Sequence, residues 1–184
     1  MLQSPPVPHD DRPPVWSGQP IVLVGLMGAG KSTVGRRLAA RLGLPFADAD
    51  TEIEAAAGMS ISDIFARFGE PYFRDGERRV IARLIDGRPK VIATGGGAFV
   101  NEATRALILS DALAIWLDAP LEVLAERVRR RDTRPLLRGK DPLEVLRDLA
   151  AVRNPLYELA PIRIPSANTP HDATVRAILE ALGR

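Results

Sequence analysis

Gly25-Leu26-Met27-Gly28-Ala29-Gly30-Lys31-Ser32 fits G-x-x-x-x-G-K-[ST], follows the apolar run Ile21 to Val24 and opens a helical pattern. A glycine-rich turn between a strand and a helix points successive backbone N–H groups into one concavity, and the positive end of the helix dipole adds to their pull on an anion. That concavity suits phosphates. Gly28, Ala29, Gly30, Lys31, Ser32 and Thr33 supply the backbone around them, Lys31 reaches the β- and γ-phosphates, and the Ser32 hydroxyl ligates a magnesium ion. The alternative is a turn that merely joins strand to helix. It gives no reason for a lysine at the motif position in a chain whose lysines are Lys31, Lys90 and Lys140.

Outward from this loop the chain alternates short apolar runs with amphipathic segments, the pattern of a parallel sheet wrapped by helices. Strands are expected at Ile21 to Val24, Pro45 to Asp48, Val91 to Ala93, Leu113 to Leu117 and Ile162 to Ile164. The first helix runs from about Lys31 to Leu42, with Val34, Leu38 and Leu42 at helical spacing and Gly43 as its stop. A helix from Ser60 to Phe68 starts with a capping box, Ser60 to Asp63, and is expected to bury Ile61, Ile64, Phe65 and Phe68. Another from about Pro71 to Asp86 turns Phe73, Val80, Ile81, Leu84 and Ile85 inward. Further helices are expected around Ala103 to Ser110, Pro120 to Arg131, from Asp141-Pro142, and from Thr169-Pro170-His171-Asp172, where His171 reads as a helix-start residue.

At 184 residues the chain is long enough for one domain with a real core. A net charge of +2 points to neither a nucleic-acid nor an anionic-membrane partner. The absence of cysteine excludes disulfides, thiolate metal sites and a cysteine nucleophile. No apolar stretch approaches the roughly 18 residues of a spanning helix, and no secretory signal is visible. A soluble, cytoplasmic protein is the expectation. Residues 1–19 are proline-rich and poor in apolar side chains, so they read as a disordered tail preceding a single domain over 20–184.

Ligands of open α/β sheets collect beyond the carboxyl ends of the strands, and four polar features fall there. Asp48 and Asp50 follow the second strand. On an extended segment they point in different directions, so one can face magnesium and its waters while the other faces an acceptor hydroxyl. Gly95, Gly96 and Gly97 strip the end of the third strand of side chains, which lets bare backbone approach a ligand, although a flexible turn would look the same. Arg74 and Glu77 are i, i+3 neighbours; the carboxylate can hold the guanidinium ready for bidentate capture of another carboxylate, or the pair can be a plain surface salt bridge. The basic run Arg127, Arg129, Arg130, Arg131, Arg134, Arg138 and Lys140 suits a mobile lid near 129–140 that closes over a polyanion. A solvated helix end is the competing reading. A nucleic-acid patch is disfavoured because no aromatic residue interleaves the basic ones.

Together these residues resemble the shikimate kinase family. The matching pieces are GLMGAGKSTVGRRLA (Gly25 to Ala39), FADAD (Phe46 to Asp50), GxxIxxIF and GExxFRxxE (Gly58 to Glu77), TGGG (Thr94 to Gly97), RPLL (Arg134 to Leu137) and RNPLY (Arg153 to Tyr157). The resemblance implies a three-layer α/β/α P-loop kinase fold with a five-stranded parallel sheet in the order 2-3-1-4-5. It also implies transfer of the γ-phosphoryl group of ATP to the 3-hydroxyl of shikimate, on the way to chorismate and the aromatic amino acids. By the same resemblance Asp50 binds the ring hydroxyls and is the candidate proton acceptor. Arg74 and Arg153 clamp the substrate carboxylate, and Gly95, Gly96 and Gly97 line its pocket. Asp48 helps hold Mg2+ through water, Arg134 is the lid arginine on the phosphates, and Arg127 lies against adenine. Lys31, Asp50 and Arg134 are thus the expected catalytic residues of a monomer that binds shikimate and ATP. The loop Ser166 to Pro170 resembles the adenine-side loop without matching it position by position. Two rival readings are a kinase for gluconate or another small hydroxy acid, and a catalytically inactive ATP-binding regulatory module.

Overall fold

The computed structural model describes residues 16–131, 137 and 139–184. Its strands are β1 (Ile21–Val24), β2 (Phe46–Asp48), β3 (Val91–Ala93), β4 (Leu113–Asp118) and β5 (Ile162–Pro165). The helices are α1 (Lys31–Leu42), α2 (Ala49–Ala57), α3 (Ile61–Phe68), α4 (Glu70–Leu84), α5 (Glu102–Asp111), α6 (Leu121–Arg129), α7 (Pro142–Tyr157) and α8 (His171–Ala181). A 3-10 turn, Ala98–Val100, follows the triple glycine and was not foreseen.

All pairings are parallel in the order β2-β3-β1-β4-β5, as expected. Val22 pairs with Ile92 on one side and Ala114 on the other, so β1 is central. Its four residues are fully buried, which is why β1 reads as an unbroken apolar run. At the edge, β5 alternates buried and exposed residues; Arg163 turns outward, lies over the Trp116 ring and pairs with Asp118.

Right-handed crossovers decide the layers. From β1 the chain steps left to β2 through α1, whereas the later steps from β2 to β3, β4 and β5 all run right. The connecting helices of those later steps therefore lie on the face opposite α1. After β5, α8 returns to pack against α1, which in turn lies on β3 and β2. The reversal of direction at β1 leaves a crevice beyond the carboxyl ends of β1, β3 and β4, where the ligand site is built.

Side-chain caps start four of the eight described helices, Asp48 at α2 among them. Ser60 accepts from the Asp63 amide, Asp141 from that of Leu143 with Pro142 in the first turn, and Asn101 from that of Thr104. The cap expected at Thr169 is not there: Pro170 is the N-cap of α8 and offers no side-chain acceptor.

A second correction concerns α3. Ile64 is buried with Ile53, Phe73 and Val80 in a small cluster of its own, but Phe65 and Phe68 are 37% and 49% exposed. Among the described residues α2 and α4 are the main elements beneath this two-turn helix, too narrow a surface to cover its whole apolar stripe. Instead Phe65 leans on Phe73 and Phe68 stacks on Tyr72, each pair with ring centres 4.6 Å apart.

Of the expected tail over 1–19, residues 1–15 lie outside the described residues. Its last residues are held to the domain: the Trp16 indole donates to the Gln19 carbonyl and carries the Arg184 guanidinium over its ring. Much of the segment expected as a lid, including Arg134 and Arg138, also lies outside the described residues.

Candidate active site

The loop after β1 enters α1 through Gly30, an N-cap in the left-handed region at φ 87° with no side chain to cap the first turn. The amides at the start of α1 therefore face the cleft, as an anion site requires. Lys31 is almost wholly buried, and its Nζ donates to the carbonyls of Gly25 at 2.7 Å and Leu26 at 3.0 Å. Ser32 Oγ donates to Asp48 Oδ2 at 2.5 Å. Asp48 Oδ1 also accepts from the amides of Asp50 and Thr51, so Asp48 both caps α2 and holds the Ser32 hydroxyl.

Asp50 is where the extended-segment reading needs correcting. The strand ends at Asp48, and Asp50 sits in the first turn of α2. The two carboxylates still diverge, but because one is the cap and the other is helical. Asp48 turns to Ser32, whereas Asp50 turns to the triple glycine, where a Cβ built on Gly95 would lie 2.9 Å from Asp50 Oδ1 and 3.4 Å from Glu77 Oε2.

Close approach explains the glycines better than flexibility does. A Cβ on Gly96 would lie 2.9 Å from Arg153 Nη1, and one on Gly97 would lie 2.5 Å from Arg74 Nη1. Two guanidinium groups, from α4 and α7, thus press against backbone that has no side chains. Thr94 anchors the segment by donating through its hydroxyl to the Leu23 carbonyl on β1.

Arg74 is not a plain surface salt bridge. Its Nη1 donates to Glu77 Oε1 at 2.8 Å, and Glu77 is 1% exposed. Burial raises the Glu77 pKa above its ordinary 4.5, the adjacent Arg74 opposes that rise, and Asp50 adds to it. Its Oε2 is buried without a hydrogen-bond partner among the described residues. The paired Oε1 fixes the guanidinium, which also stacks on the Phe73 ring and spans toward Glu70.

Arg127 bridges the phosphate loop and the loop after β5. Its Nη1 donates to the Gly28 carbonyl and its Nη2 to that of Ala167, in the loop expected on the adenine side. One cleft of about 640 Å³ is lined by the phosphate loop, Asp48, Asp50, Gly95, Gly96 and Arg127, whereas Arg74, Gly97 and Arg153 are not among its lining residues.

Sequence reasoning missed two residues here. Tyr157 lay inside a quoted motif without a role; its hydroxyl donates to the Gly96 carbonyl, and its buried ring packs beside Phe99 and Trp116. Its place four residues after Arg153, on the same helical face, was the available signal. Burial pushes its pKa up to about 12, so the hydroxyl stays a donor at any working pH. His171, read only as a helix start, lines the cleft opposite Gly30.

The donor set bears on a metal as well. Among the described residues there is no cluster of three or more histidine, cysteine or carboxylate groups. A hydroxyl and a carboxylate side by side, Ser32 and Asp48, fit Mg2+, which keeps waters and takes phosphate oxygens rather than a full protein cage.

Comparison with known proteins bears on the same cleft. A family model described as shikimate kinase matches residues 27–183. A shikimate kinase of Caulobacter vibrioides is 62% identical over 173 residues, covering 94% of this chain and 86% of that protein. One from Zymomonas mobilis is 53% identical over 184 residues and covers both chains fully. Among solved structures, shikimate kinase from Acinetobacter baumannii in complex with shikimate matches with a TM-score of 0.84 at 39% identity, covering 91% of this chain and 94% of that one.

Proposed function

The chain belongs to the shikimate kinase family, and from that premise we propose which of its residues carry the reaction. The protein is an ATP-dependent phosphotransferase that moves the γ-phosphoryl group of ATP to the 3-hydroxyl of shikimate. Phosphoryl transfer passes through a loose transition state, so the protein's task is chiefly to align the two reactants and neutralise charge.

In the proposed mechanism the amides of Gly28 to Thr33 cradle the phosphates. Lys31 exchanges its two carbonyl partners for phosphate oxygens. Ser32 and, through water, Asp48 would hold Mg2+, which when bound neutralises the β- and γ-phosphate oxygens. Arg134, outside the described residues, keeps the lid role that the family resemblance gives it, and Arg127 flanks the adenine. On the acceptor side, Arg74 and Arg153 grip the shikimate carboxylate against Gly95, Gly96 and Gly97. Asp50 orients the ring hydroxyls and receives the proton of the attacking one.

The observation that carries this reading is the shared cleft: Asp50, Gly95 and Gly96 line the same cavity as Gly28, Gly30, Lys31 and Ser32. Two anionic substrates entering from opposite ends meet there. We further propose that the enzyme is monomeric and works in the cytoplasm; among the described residues no helix is long and apolar enough to cross a membrane.

Release of ADP from ATP tests the assignment. Turnover should require both shikimate and Mg2+, and gluconate at the same concentration should give only the background rate. Equal stimulation by gluconate, or full turnover with Mg2+ chelated, would overturn the reading.

A further inference from the structure

His171 has no part in the mechanism above, yet it occupies the nucleotide end of the cleft. It is the first residue of α8, and its ring reaches the phosphate loop: a Cβ built on Gly30 would lie 2.8 Å from His171 Cε1 and 3.1 Å from Nδ1. Gly30 begins the turn whose amides receive the phosphates, so the imidazole is a near neighbour of any polyphosphate seated there. Thr169, Pro170 and His171, at the start of α8, line the cleft, so the positive end of that helix lies beside it.

The charges around the ring come from every element packed on it. Arg127 and Arg131 stand on and just after α6, Arg37 on α1, and Asp172 on α8 itself. Lys31, Glu122, Glu126 and Arg130 line the same cleft, with Glu126 engaged by Arg130. Asp172 is the carboxylate nearest in sequence, and it is held by Arg37 at 2.9 Å. Burial and then the arginines keep the imidazole below its ordinary pKa of 6.5, with Asp172 acting weakly the other way. Burial first and the arginines second thus disfavour the charged ring, and a polyanion placed between it and the arginines offsets the second of these.

We propose that His171 is a ligand-facing residue of the nucleotide subsite, taking a proton from solvent when polyphosphate fills the adjacent loop and then donating a charge-assisted hydrogen bond to it. Binding raises the imidazole's pKa. Below its value in the free enzyme the ring is already charged, and above its value in the complex it stays neutral. Within that window each binding event takes up a proton, and nucleotide affinity rises as pH falls. The inference rests on the cleft being the nucleotide site.

The chain has two histidines, His9 and His171, so two Cε1–H resonances report the titrations, assigned with His171→Gln and independently with His9→Gln. With saturating ADP the midpoint of the His171 titration should move up by about one pH unit or more, while that of His9 stays put and adenosine, which lacks phosphates, produces no such rise. In His171→Gln the KM for ATP should rise roughly threefold to tenfold with the KM for shikimate unchanged. ADP that binds without raising the His171 midpoint overturns the inference and leaves the nucleotide reading standing. ADP that does not bind at all overturns both.

Discussion

Gly97 shows how narrowly a single residue can be constrained. Its backbone takes an ordinary right-handed conformation, so the requirement for glycine comes from the neighbouring guanidinium and not from φ. A methyl group there would overlap Arg74 Nη1, and Arg74, pinned from behind by the buried Glu77, has little room to retreat. Gly97→Ala should therefore raise the KM for shikimate about tenfold or more, with the KM for ATP and the thermal midpoint little changed. Kinetics in which both KM values rise together would show that the loop, not the clamp, had been disturbed. The pairing of Arg74 with Glu77 was legible because helical spacing fixes their relation, whereas Arg153 was singled out only by the family resemblance. His171 was not legible, because its partner Gly30 is remote in sequence and carries no side chain to signal a contact.

At the scale of elements, α7 braces the triple glycine. Arg153 approaches Gly96 from this helix, and one turn later Tyr157 secures the Gly96 carbonyl from below. Tyr157→Phe keeps the ring between Phe99 and Trp116 but leaves that half-buried carbonyl without its donor, a loss of about 1 kcal/mol. The expected outcome is a lower denaturant midpoint with an increase of about fivefold in the KM for shikimate alone; a variant with wild-type kinetics for both substrates would mean that the brace is purely structural. Some helix starts were readable because the caps were written out, as with Ser60 and Asp141. Asp50 was misplaced on an extended segment because Asp48 does two jobs at once, ending the strand and capping α2. Phe65 and Phe68 were misjudged because helical periodicity reveals an apolar stripe but not how much surface is available to cover it.

Across the whole molecule, one reversal of direction at β1 makes the site possible. The crevice at the reversal receives the phosphate loop from β1, Asp48 and Asp50 from the end of β2, and Gly95 and Gly96 after β3. A parallel sheet wrapped by helices follows from the alternation of apolar runs and amphipathic segments, whereas the strand order was implied by the resemblance to the family. What the pattern could not supply was depth: that Glu77 would be buried, that Lys31 would fold onto the loop carbonyls, or that Arg127 would tie Gly28 to Ala167. These depend on tertiary packing between segments far apart in the chain.

The central claim is that phosphate loop and carboxylate clamp act on two substrates in one cleft. It is tested most directly by steady-state kinetics of wild type and Arg74→Ala with ATP, Mg2+ and shikimate. Loss of a charge-assisted grip predicts a fall in kcat/KM for shikimate of about tenfold to a hundredfold, with the KM for ATP unchanged. An Arg74→Ala enzyme that turns over shikimate as well as wild type does would contradict the account.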